Sequence, residues 1–168
     1  MLVAEGELAA RVAELGRAIE RDYARENPVL VGVLLGAVPF VADLMRGLSI
    51  DLTLDFVRAS SYGSATSSSG TVRILADLTV DIADRHVLIV DDIVDTGLTL
   101  AALKRTLEAR RPRSVRTCVL LDKTGRRQTD VTIDYVGFTI PNVFVVGYGL
   151  DHDGLYRNLP YVAALDAS

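Results

Sequence analysis

Leu8, Val12, Leu15 and Ile19 recur at spacings of three and four with charged residues between them, which predicts an amphipathic helix from about Glu5 to Tyr23. Asn27-Pro28 stops it, and Val29 to Leu35 is a short, almost wholly apolar run of the kind found in strands buried on both faces. Val38 to Arg46 follows as a second helix. Leu52 to Val57 alternates apolar with polar positions and predicts a strand, after which SSYGSATSSSG, Ser60 to Gly70, is too small and polar to pack and predicts a long mobile loop. Val72 to Leu75 predicts a short returning strand, Val87 to Val90 a buried strand feeding a helix from about Leu98 to Arg110, and Val115 to Leu121 the next strand. Ile133 to Phe138 and Val143 to Gly147 are further β candidates, and an apolar segment near Tyr161 to Leu165 closes the chain. Buried strands alternating with amphipathic helices imply right-handed βαβ crossovers and a mainly parallel sheet covered on both faces. Ligands of such sheets bind beyond the carboxyl ends of the strands.

Composition narrows the class. At 168 residues, with no internal repeat, the chain is expected to form a single domain over residues 1–168 that buries a core without disulfides or structural metal. With 49% hydrophobic and 24% charged residues, it has the balance of a globular protein rather than a disordered one. The formal charge of -4 supplies no overall pull toward nucleic acid or anionic membrane. Cys118, the only cysteine, lies in an apolar run and reads as a buried, inert thiol. Charges interrupt the N-terminal MLVAEGELAARVAELG, unlike a signal peptide, and no window approaches the roughly 20 apolar residues of a membrane span, so the cytoplasm is the expected compartment.

The chemistry concentrates after the strand Val87 to Val90, where Asp91 and Asp92 are expected to emerge at the ligand edge of the sheet. One such Asp alone is explained equally well as charge at a helix start. Here Asp95-Thr96-Gly97-Leu98-Thr99 follows, supplying a turn, two hydroxyls, a glycine that permits close backbone approach, and then a helix whose first N–H groups suit a phosphate. Carboxylates accept hydrogen bonds from vicinal sugar hydroxyls, so acids beside a phosphate cradle describe a site for a ribose 5-phosphate.

The segment Val87 to Leu100, VLIVDDIVDTGLTL, closely resembles the phosphoribosyl pyrophosphate motif of type I phosphoribosyltransferases, and the rest of the chain resembles their hypoxanthine-guanine branch. That resemblance implies the type I phosphoribosyltransferase fold, an α/β structure whose mainly parallel sheet is flanked by helices, with a small hood formed by the N- and C-terminal segments. It implies that Asp91 and Asp92 hold the ribose 2- and 3-hydroxyls and, with Asp151, bind Mg²⁺, while Asp95, Thr96, Gly97, Leu98 and Thr99 wrap the 5-phosphate. Asp95 would also be the general base or acid at purine N7. Leu34-Leu35-Gly36-Ala37 resembles the pyrophosphate loop; Leu35 stands where relatives often carry a basic residue, so Leu35 and Gly36 would bind through backbone N–H groups, with Arg157 reaching the pyrophosphate oxygens. Ser61-Tyr62-Gly63 resembles a lid that excludes water, which gives Ser61 and Tyr62 that role. Lys123 would face the purine O6 and select an oxo group over an amino group, Phe144 would stack on the base, and the Val145 backbone would meet its edge.

The implied reaction is Mg²⁺-dependent transfer of the phosphoribosyl group from phosphoribosyl pyrophosphate to N9 of hypoxanthine or guanine, giving IMP or GMP and pyrophosphate in purine salvage. No redox cofactor and no nucleic-acid or membrane partner is implied; a homodimer or homotetramer is. One rival is an RNA-binding regulator on the same scaffold, which needs a basic face that the net acidity disfavours. A nearer one is a preference for xanthine or adenine. His86 and His152, the only histidines, are too few for a zinc site and receive no role, while Arg126-Arg127 and the group Arg110, Arg111 and Arg113 read most simply as solvated basic faces, with a subunit interface or a phosphate as the alternative for either.

Overall fold

A computed structural model describes residues 1–61 and 72–165. Helix α1, Glu5–Asp22, begins where the Glu7 carboxylate accepts the Ala4 N–H at 2.8 Å, and it buries Leu8, Val12, Leu15 and Ile19 on one side. Strand β1, Val29–Val33, is buried throughout, and helix α2, Val38–Arg46, follows it with Pro39 in its first turn. Strands β2, Thr53–Ser61, and β3, Val72–Ala76, precede β4, His86–Val94. Helix α3, Leu98–Glu108, leads to β5, Ser114–Asp122, and β6, Tyr135–Thr139, before the two-residue strands β7, Val145–Val146, and β8, Ala163–Ala164.

Six strands form one sheet in the order β3-β2-β1-β4-β5-β6, parallel except where β2 meets β3. Strand alternation divides the core into two layers. Leu30, Leu88, Val90, Cys118 and Leu120 face α1 and α2; Val29, Val31, Val87 and Ile89 face Leu100, Leu103 and Leu107 of α3. Cys118 is fully buried and burial pushes its thiol pKa up, in keeping with an inert side chain. The terminal segments join as expected for a hood: Val3 and Val162 exchange backbone hydrogen bonds, and Val145 of β7 pairs with Ala164 of β8. No helix among the described residues is long and apolar enough to cross a membrane.

The chain passes from β1 through α2 to β2 on one side, then returns to place β4 on the other side of β1 and continue outward through α3, β5 and β6. The carboxyl ends of β1 and β4 therefore flank a topological switch point, where open α/β sheets leave a crevice. Two boundaries differ from the sequence reading in ways that matter there. Strand β4 runs to Val94, in ladder with β5 as far as Val94 opposite Asp122, so Asp91 and Asp92 lie inside the strand rather than beyond it. The apolar run ended at Val90 only because two carboxylates interrupt it; Ile93 and Val94 resume it while the backbone pairing continues. Strand β2 likewise extends to Ser61 by pairing with β3. The expected loop from Ser60 to Gly70, including the lid residue Tyr62, lies outside the described residues beyond Ser61.

Candidate active site

Because strand side chains alternate, extending β4 sends Asp91 and Asp92 to opposite faces of the sheet. Asp91 continues the face of Val87 and Ile89 and lines a cavity of about 130 Å³ with Asp95, Thr96, Gly97 and Thr99. Asp92 continues the face of Leu88 and Val90 and lines a second cavity, about 290 Å³, with Lys123, Phe144, Val145, Leu150 and Asp151. Ile93 borders both. The two acids expected to act as a pair are thus neighbours across one peptide, each serving a different cavity.

The first cavity is a turn closed over a helix start. Gly97 has φ 81°, a left-handed conformation at the N-cap of α3 that glycine adopts without steric cost. The turn is held from outside by the Gln128 N–H, which donates to the Thr96 carbonyl at 2.9 Å. The Leu98 N–H donates weakly to Thr96 Oγ1 at 3.4 Å, and the first turn of α3 otherwise points its N–H groups out of the helix end, which suits an anion.

Burial, and then the charge of Asp92, hold the Asp91 carboxyl well above the usual carboxylate range; burial also raises Asp92. The Asp92 N–H donates to Asp91 Oδ1 at 3.0 Å, and the Ile93 N–H to Asp92 Oδ1 at 2.8 Å. A buried acid beside a partly buried one in this state calls for compensation by a cation or by hydroxyl donors. Gly36, after a cis Leu34-Leu35 peptide, lies so close to Asp92 that a β-carbon there would overlap the carboxylate, and one on Gly149 would overlap the Gly36 carbonyl. Leu35 is half exposed.

Asp95 faces two cations. Lys123 Nζ lies 4.0 Å and Arg126 Nη1 3.5 Å from its Oδ2, while its Oδ1 is buried with no hydrogen-bond partner among the described residues. Lys123 is itself buried, its backbone N–H donating to the Val94 carbonyl at 2.9 Å, which ties the end of β5 to the end of β4. Arg127 departs from the expected solvated basic face, its Nη2 pairing with the buried Asp122, while Arg126 stays half exposed as it faces Asp95. Arg127 is drawn inward because the turn Thr124–Arg126 folds back beside the switch point. Arg110 forms a surface pair with the exposed Asp77 at 2.8 Å, which is compatible with a solvated basic face.

On the second side, Phe144 is half exposed and its ring meets that of His152 edge-on, with centroids 5.3 Å apart and planes at 78°. Val145 is buried in β7. Asp151 and Arg157, expected to serve separate ligand groups, pair with each other at 2.6 Å, while Arg157 Nη1 donates to the Gly149 carbonyl at 2.6 Å and Asp151 Oδ2 accepts the Gly154 N–H at 2.8 Å. The structure thus brings together Asp91 with Asp95 to Thr99, and Asp92 with Lys123, Phe144, Val145, Asp151 and Gly36; Ser61 ends β2, and Leu98 opens α3. His152, Arg126 and Arg127 are neighbours of the site that the sequence left without a role, the only local signal being that each lies close in the chain to a residue already singled out, Asp151 or Lys123 with its turn.

The model of the phosphoribosyl transferase domain family matches residues 1–153. A hypoxanthine-guanine phosphoribosyltransferase of Mycobacterium tuberculosis (strain H37Rv) is 52% identical over 99% of this chain and 85% of its own length. One of Streptococcus pneumoniae is 46% identical over 98% of this chain and 92% of its own. The crystal structure of a Bacillus anthracis hypoxanthine-guanine phosphoribosyltransferase superposes with a TM-score of 0.95, at 45% identity, covering 99% of this chain and 98% of that one.

Proposed function

This chain belongs to the phosphoribosyltransferase family, on its hypoxanthine-guanine branch, and works in purine salvage by phosphoribosyl transfer; from that premise we propose how its residues divide the reaction. The observation that carries the proposal is the pair of cavities on either side of Ile93, one with a helix start for a phosphate and one with an exposed aromatic ring for a flat base. A nucleotide spanning the end of β4 has its 5-phosphate against Thr96 to Thr99, its ribose against the acids of β4, and its base beside Phe144 and Val145.

In the forward direction the purine N9 lone pair attacks the anomeric carbon while the bond from that carbon to the pyrophosphate oxygen breaks. Asp91 and Asp92 orient the sugar hydroxyls and bring negative charge near the carbon that becomes electron-poor. Asp95 takes the proton that the base loses, and its buried, unpartnered Oδ1 is an acceptor ready for that N–H. Lys123 donates to O6, and an amino group there would meet a donor with donors. The backbone of Leu35 and Gly36 and the Arg157 guanidinium receive the departing pyrophosphate.

Mg²⁺ suits this donor set. Asp91, Asp92 and Asp151 offer hard carboxylate oxygens, yet among the described residues no three His, Cys, Asp or Glu side chains converge to cage a metal. A protein that supplies part of the shell and leaves the rest to substrate oxygens and water is the usual arrangement for Mg²⁺. When bound, the ion offsets charge on the pyrophosphate.

Steady-state assays with phosphoribosyl pyrophosphate, Mg²⁺ and each of hypoxanthine, guanine, xanthine and adenine test this reading. Turnover of the first two with release of pyrophosphate is expected, and Lys123→Gln is expected to narrow the preference for hypoxanthine over adenine. Turnover of adenine alone overturns the assignment of the base side.

A further inference from the structure

We propose that Arg127 is a binding residue for the 5-phosphate, reaching the cradle from behind the Thr96-Gly97 turn; this rests on the reading of that turn as the phosphate site. Three observations converge on it. Arg127 Nη2 is paired with Asp122, a buried acid at the end of β5, which fixes the guanidinium instead of leaving it to sample solvent. Its Nη1 is buried and has no hydrogen-bond partner among the described residues, an unfavourable state for a charged donor unless a ligand supplies the acceptor. That same side chain packs against Gly97 beside Val131: a β-carbon built there would be 3.0 Å from Arg127 Cδ, 3.0 Å from Val131 Cγ1 and 3.1 Å from Arg127 Nη1, so the guanidinium is in direct contact with the glycine of the turn.

The next residue fastens the two segments together. The Gln128 N–H donates to the Thr96 carbonyl at 2.9 Å, so the guanidinium and the turn are held as one unit. A dianionic phosphate monoester in the cradle then meets the helix start on one side and a fixed positive charge on the other, and the unpartnered Nη1 donates to one of its oxygens. Arg126, the adjacent residue, faces Asp95 instead, so consecutive arginines serve opposite ends of one loop.

The test compares a ligand with and without the phosphate. Calorimetric titration with IMP and with inosine gives the ratio of their affinities for wild type, Arg127→Gln, Arg127→Lys and the double variant Asp122→Asn with Arg127→Gln. The ratio is expected to fall about ten- to a hundredfold in Arg127→Gln, the loss of one hydrogen bond to a charged group. It should recover in large part in Arg127→Lys. The double variant removes both members of the buried pair and so leaves no unpaired acid if the single variant folds poorly; it should show the same fall. A ratio unchanged in the folded variants, with inosine and IMP weakened alike, overturns the proposal and leaves Arg127 a structural residue. A wild type that binds IMP no better than inosine overturns instead the reading of the cradle as a phosphate site.

Discussion

The carboxylate of Asp92 occupies the space beside Gly36 that a β-carbon would need. The contact couples the loop after β1 to the middle of β4, and the Gly36 carbonyl in turn leaves no room for a side chain on Gly149. These three positions form a packed stack across the switch point. Gly36→Ala must displace the loop or the acid, and either moves a group that faces the pyrophosphate. Its kcat/KM is expected to fall on the order of a hundredfold with the fold retained, as steady-state kinetics beside circular dichroism will show.

Asp95→Asn removes a proton acceptor while keeping shape. With Lys123 and Arg126 both facing this side chain, the amide still has room in the site, so IMP affinity should remain close to that of wild type. The turnover number is expected to drop by roughly 10²- to 10⁴-fold, the range for a general base. Single-turnover measurements separate the two effects, and an unchanged chemical step removes Asp95 from proton transfer.

Asp91→Asn should make the ligand-free protein more stable while lowering activity. Burial and the charge of Asp92 raise the Asp91 pKa in the folded state, so the native protein holds this proton more tightly than the unfolded chain does. Stability from this group is therefore fully present at low pH and is lost as pH rises from the ordinary carboxylate value of about 4 through the raised native one. The variant escapes that loss. Its gain in stability over wild type is expected to be on the order of 1 kcal/mol, a rise of about 2–4 °C in thermal midpoint, at pH 8. The gain should shrink at pH 5, which thermal melts at the two values will measure; a gain independent of pH would place its origin elsewhere.

His152 supports Phe144 by an edge contact, and Phe144 is otherwise half exposed. His152→Ala should raise KM for hypoxanthine about two- to tenfold, the worth of one aromatic pair, with little change in kcat. His152→Phe should restore it. If the alanine variant matches wild type in KM, the ring only covers surface.

Much of the site is contiguous in sequence, and that is why it was legible there. Asp95 to Thr99 is one turn and one helix start, whose chemistry depends on neighbours within five positions. The apolar periodicities of α1, β1 and α2 are local in the same sense, so the layers of the fold and its mainly parallel sheet followed from them. Where the reading missed, the deciding contact was remote. The end of β4 depends on the ladder with β5, with Val94 opposite Asp122, and that ladder is invisible to a pattern read along one strand.

The sequence by itself determined which residue types stand beside a phosphate turn, because backbone conformation and helix starts are set by near neighbours. Only the tertiary structure decided that Asp91 and Asp92 serve different cavities, that Arg126 turns to Asp95 and Arg127 to Asp122, and that Asp151 takes Arg157 as its partner. Strand alternation assigns a side only once the strand's true end is known, and a charged side chain buried near a sheet edge selects its partner from whatever the register of other segments delivers there.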